Sequence, residues 1–176
     1  MRRRLVVLAL AVATAGPALY GSDSHPVAHV LKGRLTPAAW AGMFVKINGP
    51  DHRMSINQHL PEVRLYDAAG RQLLSFTGYG GQGREWLAKE FAGPAPANAA
   101  QLSQFLETVR TPEGKSIDLP RNEPVAVVMG AVWCMPCRAL KADLEQISGI
   151  TLLDIDVDRQ NMSWQAIMKA VKASAP

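Results

Sequence analysis

The chain has 176 residues, enough for one domain with a buried core. Its two cysteines exclude a disulfide-dense scaffold. The formal charge of +4 comes from 19 Lys and Arg against 15 Asp and Glu; Arg2, Arg3 and Arg4 supply three of those cations, so from residue 22 onward 16 basic residues face 15 acidic ones and the charge is no argument for nucleic-acid binding.

Residues 1–21 read as a secretory signal: a basic start, an apolar run from Leu5 to Ala15, then small residues. Ala13-Thr14-Ala15 and Leu19-Tyr20-Gly21 are the candidate cleavage sites. The alternative is an uncleaved anchor, but the apolar stretch reaches at most Tyr20, short of the roughly 20 residues that span a bilayer. Cleavage leaves no stable membrane insertion and a periplasmic or otherwise exported protein, in an oxidising compartment.

Residues 22–60 read as an N-terminal extension of low legibility. Thr36 is placed to cap a helix with Pro37 in its first position, and Met43–Ile47 suits a short strand. All four histidines fall here: His25, His29, His52 and His59. With Met43 and Met54 they raise a copper or zinc site, against which stand scattered, solvated side chains, since only His25 and His29 are closely spaced.

From Pro61 the signals sharpen. Glu62–Tyr66 alternates as a strand, Asp67–Gly70 makes a turn, and Arg71–Phe76 returns. The glycine-rich stretch Gly78–Gly83 precedes a predicted helix over Arg84–Phe91; a hairpin stands before it, which is the wrong context for a nucleotide-binding fingerprint. Residues 92–98 have linker composition. Asn98 is then expected to cap a helix whose Leu102, Phe105, Leu106 and Val109 form one stripe, followed by a short edge strand over Lys115–Leu119.

Val125–Val132 is apolar but for one glycine, as in a strand covered on both faces. It runs into Cys134-Met135-Pro136-Cys137 and a helix to Ile147, with Leu140, Leu144 and Ile147 on one face. Cys134 is thereby placed at a helix start, where unpaired N–H groups and the helix dipole favour a thiolate, the attacking species in disulfide exchange. Cys137 lies one turn deeper, shielded and within reach to resolve a mixed disulfide. Pro136 loses little in the first turn. Arg138 adds positive charge, and Trp133 offers an apolar wall beside an exposed sulfur. A structural zinc site needs about four ligands and lacks a second cysteine pair; an inert disulfide is the other alternative. Thr151–Asp158 reads as a further strand and residues 163–173 as a last helix. Asp154, Asp156 and Asp158 alternate on that strand.

Trp133-Cys134-x-Pro136-Cys137 after an apolar strand resembles the active site of the thioredoxin family. Residues 61–91 are similar to the last third of a thioredoxin: a proline, a hairpin closed by Asp-x-x-Gly, a glycine and a terminal helix. In the family that third follows the cysteine motif; here it precedes it. The resemblance therefore implies an α/β fold over residues 61–176, a thioredoxin-like mixed sheet flanked by helices, with its elements circularly permuted. Pro61 is then the candidate for the family's cis-proline opposite the cysteines. Pro176 is one rival for that position, and a domain swap is a rival account of the hairpin.

The implied activity is thiol–disulfide exchange with protein thiol or disulfide substrates and a redox partner protein, without metal or organic cofactor. Cys134 attacks, Cys137 resolves, and Trp133, Met135, Pro136 and Pro61 shape the substrate groove. The family's buried acid is replaced by Val128, which leaves Asp154 as candidate proton acceptor, or as an acid solvated at a strand end. The rival function is a periplasmic metal-binding or metal-delivery protein using the histidines and the cysteine pair.

Overall fold

The computed structural model describes residues 28–40, 42, 60–158, 165, 169 and 172. The expected signal segment (residues 1–21), His25, His52, His59, the strand expected over 43–47 and Pro176 all lie outside the described residues. Of the predicted helix 163–173, Gln165, Lys169 and Lys172 are helical and exposed.

A six-stranded mixed sheet organises the chain, in the order β3-β2-β5-β6-β1-β4. Its strands are β1 (His29–Leu35), β2 (Glu62–Tyr66), β3 (Gln72–Thr77), β4 (Val109–Arg110), β5 (Val125–Gly130) and β6 (Thr151–Asp156). β5 is buried along its whole length, as its unbroken apolar run requires. On one side β6 lies parallel to it; on the other β2 lies antiparallel, with Glu62 opposite Met129 and Tyr66 opposite Val125. β2 and β3 form the predicted hairpin. Its turn is held by Asp67, whose Oδ1 accepts from the Ala69 and Arg71 N–H groups at 3.0 and 2.8 Å, while Gly70 takes φ 76°.

Three helices have defined bounds: α1 (Arg84–Phe91), α2 (Leu102–Leu106) and α3 (Met135–Glu145). The alternation of the strands divides the apolar residues between two faces. Val63, Leu65, Ala126, Val128 and Leu152 meet Leu87 of α1 and Leu140 and Leu144 of α3. Tyr66, Val125, Val127, Met129, Leu153 and Ile155 meet Trp40, Phe105 of α2 and Val109. Tyr79 pins the glycine-rich loop to the first face: its hydroxyl donates to Asp143 Oδ2 at 2.6 Å and accepts from Gly83 N–H at 2.8 Å.

Several expectations are corrected. β1 lies within the residues taken as an extension and is an inner strand, parallel to β6 and antiparallel to β4. Lys32 and Arg34 disguised it, together with Gly33, whose missing side chain is required: a Cβ there would lie 2.7 Å from Ile155 Cδ1 and 2.9 Å from Val109 Cγ1. Thr36 caps the following helical turn as expected, its Oγ1 accepting from Ala39 N–H at 3.3 Å. Asn98 is not a cap; Gln101 stands at the start of α2, and Val109 leaves the helix to pair with Leu35 in β4. A β-branched residue beside Thr108 gives up little helix propensity in doing so. Residues 115–119 form no strand; Ile117 and Leu119 serve as apolar plugs on the core. Among the described residues no helix is long and apolar enough to cross a membrane.

Candidate redox site

The carboxyl end of β5 turns through residues 131–133 into α3, and the cysteines sit at that turn. Cys134 and Cys137 form a disulfide, with Cα atoms 5.2 Å apart. Cys134 is the N-cap of α3, in extended conformation, and its Sγ accepts from the Cys137 N–H at 3.1 Å. One of the orphan donors of the helix start is thus aimed at sulfur. Pro136 occupies the first turn, where no helical hydrogen bond asks for its N–H. Both cysteines belong to the same buried cluster as Leu60, Met129 and Ala131.

One expectation about exposure is reversed. Cys134 is 4% exposed and Cys137 fully buried, so the outer sulfur is sheltered while the pair is oxidised. What faces solvent is the collar around it: Val132 at 71%, Met135 at 65% and Trp133 at 44% exposed.

Pro61 is buried and directly precedes β2, and its bond to Leu60 is cis. The antiparallel register carries Glu62 to Met129, near the end of β5 from which the cysteine turn departs. Sequence order had separated Pro61 from the cysteines by more than half of the described chain; strand pairing brings its strand end to theirs.

Behind the disulfide the packing is close. A Cβ on Gly130 would lie 3.1 Å from both Cβ and Sγ of Cys137, and 3.9 Å from Lys141 Cε. Cys137 and Lys141 therefore flank the same glycine. Asp154, opposite Val128 in the next strand, is buried; its Oδ1 lies 2.6 Å from Lys141 Nζ and its Oδ2 2.6 Å from Lys32 Nζ. It is not solvated at a strand end: it is a buried carboxylate ion-paired to both lysines. Asp156 ends the strand and accepts from Asp158 N–H at 2.8 Å. Lys141 and Lys32 were not singled out in the sequence. Lys141 could have been, since it stands one helical turn beyond Cys137; Lys32 could not, because its strand was unrecognised.

His29 begins β1 and is exposed. Among the described residues no group of three or more His, Cys, Asp or Glu is arranged to hold a metal ion. No protein-family model, curated protein or solved structure matches the chain.

Proposed function

We propose that this protein is a thiol–disulfide oxidoreductase with thioredoxin-like elements in permuted chain order. The observation that carries the reading is the Cys134–Cys137 disulfide at the start of α3, with a backbone N–H directed at Cys134 Sγ. In the reduced protein that N–H and the positive end of the helix favour the Cys134 thiolate. Two further observations support it: the apolar collar Val132, Trp133 and Met135, and the parallel β5–β6 pair bordered by the antiparallel β2–β3 hairpin.

The chemistry uses the chain's own groups. The Cys134 thiolate attacks one sulfur of a substrate disulfide; that S–S bond breaks and a substrate thiolate leaves. The Cys137 thiolate then attacks Cys134 Sγ, re-forming the intramolecular disulfide and expelling the second substrate sulfur. The substrate gains two electrons, the cysteine pair loses them, and a dithiol partner protein restores the pair. With the potentials reversed the same steps oxidise a substrate dithiol. Asp154, through Lys141, is the group we assign to accept the proton of Cys137 as it turns nucleophile. Pro61 and Pro136 frame the groove for the substrate's extended chain.

The test is trapping. Cys137→Ser should accumulate mixed disulfides between Cys134 and protein substrates, resolved by added thiol, while Cys134→Ser should trap nothing. Trapping by Cys134→Ser alone would exchange the two roles. Absence of trapping by either, with a pair that resists thiol reduction in the native state, would leave a structural disulfide.

A further inference from the structure

On the α3 side of the sheet, Lys141 and the carboxyl-terminal halves of β6 and β1 border an open space. Here a crevice of about 520 Å³ opens, lined by Lys32, Arg34, Arg138 and Lys141 with Asp154 and Asp156 at its base. Gly130, Ala131 and Val132 form its wall toward the disulfide, so the turn that carries the cysteines is also an edge of the crevice. Asp154 answers Lys32 and Lys141. Arg34 lies opposite Asp156 in the β1–β6 register, and Arg138, its guanidinium against Met135 Sδ, stands one residue past Cys137. Four cations thus face the two carboxylates that line the concavity, with Glu113 at its rim also acting electrostatically on Arg34. From residue 22 onward the chain as a whole is nearly balanced, 16 basic residues against 15 acidic, so this excess is local.

We infer that this crevice receives carboxylate side chains next to the reacting cysteine of a polypeptide substrate, so that the protein acts preferentially on acidic-flanked thiols and disulfides. This rests on the redox reading above and names its substrate class. Clefts with an excess of one sign of charge and low-dielectric walls concentrate the field and raise encounter rates with opposite charge. Arginine forks suit carboxylates. A polypeptide is favoured over a small anionic thiol because the crevice adjoins the apolar collar Val132, Trp133 and Met135, which a small thiol would leave uncovered. The step is ordinary exchange: the substrate thiolate attacks Cys134 Sγ, the Cys134–Cys137 bond breaks, and Cys137 leaves as thiolate. A second thiolate of the same peptide then attacks the mixed disulfide, giving oxidised peptide and reduced pair.

The experiment measures the second-order rate of reduction of the oxidised protein by three cysteine peptides, flanked by glutamate, glutamine or lysine, each rate expressed per thiolate. At low salt the glutamate peptide should react roughly tenfold faster than the lysine peptide, and 0.5 M salt should erase most of that ratio. Arg34→Glu should lower the ratio severalfold, whereas Lys89→Glu, an equal charge change on the outside of α1, should not. A ratio near one at low salt, or equal effects of the two variants, overturns the proposal. Mercaptosuccinate against mercaptoethanol separates the sources: a charge preference as large as that of the peptides would make the crevice a small-thiol site and overturn the commitment to a polypeptide. Failure of the glutamine peptide and mercaptoethanol to react at all would instead sink the redox reading itself.

Discussion

Gly130 is the point where the sheet touches the disulfide, and Gly130→Ala is the sharpest single test of that seating. The new Cβ would stand 3.1 Å from Cys137 Cβ and 3.1 Å from its Sγ. Ordinary contacts between such atoms lie near 3.5–4.0 Å, so each is short by about 0.4–0.9 Å. Neither neighbour is a loose side-chain tip. Cys137 Cβ belongs to the first turn of α3, and Leu140 and Leu144, both fully buried, hold that helix against the sheet. Relief therefore means moving a packed helix, for which overpacking costs of about 1–3 kcal/mol are typical. The two redox states should differ. In the reduced protein Cys137 Sγ can rotate away, leaving only the Cβ contact; in the oxidised protein the disulfide holds Sγ in place. A difference of about 1 kcal/mol between the states corresponds to a potential raised by about 20 mV, since the disulfide form is penalised more. Urea denaturation of oxidised and reduced wild type and variant, with the potential from equilibration against a thiol buffer, closes the cycle. A variant as stable as wild type in both states would refute the close packing, and a lowered potential would refute the assignment of strain to the oxidised form.

Two further substitutions probe the frame. Gly33→Ala should destabilise the fold by about 1–3 kcal/mol or more, because its Cβ meets Ile155 and Val109, both fully buried; an unchanged urea midpoint would place β1 elsewhere. Tyr79→Phe removes one bond to a carboxylate and one from Gly83 N–H, worth about 1–3 kcal/mol together at neutral pH. Burial, then the hydrogen bond to Asp143, push the Tyr79 pKa up to about 12. The unfolded chain releases that proton near pH 10, so the stabilisation is complete below about pH 10 and is lost as pH rises toward 12. The difference in midpoint between wild type and Tyr79→Phe should shrink over that window; a constant difference would contradict the bond.

The elements legible in the sequence were those whose local pattern and tertiary role agree. Glu62–Tyr66 alternates because Val63 and Leu65 meet the core under α1 and α3 while Glu62 and Arg64 stand on the other face, and α3 shows its apolar stripe because it lies on the sheet. β1 was illegible because its Lys32 and Arg34 serve the crevice, not the core, and because Gly33, which weakens an isolated strand, is demanded by its neighbours. Val109 misled in the opposite sense: its spacing after Leu102 and Phe105 suits a helix, yet pairing with Leu35 draws it into a strand. At the site the cysteines announced themselves by spacing, whereas the Lys32–Asp154 ion pair depends on a strand 122 residues away.

The order of strands in the sheet has a consequence for how the chain reaches its native state. β5 and β6, the two strands on which the others assemble, are made last. The β2–β3 hairpin can close early, being local. β1 cannot pair with β6 until more than a hundred residues have followed it, and β2 offers an unpaired edge toward β5 over about half that length of chain. Pairings so distant along the chain carry a large loop-closure entropy and fold slowly. Chains interrupted before Val125 therefore display two apolar strand edges with nothing to receive them, the condition under which intermolecular pairing competes with folding.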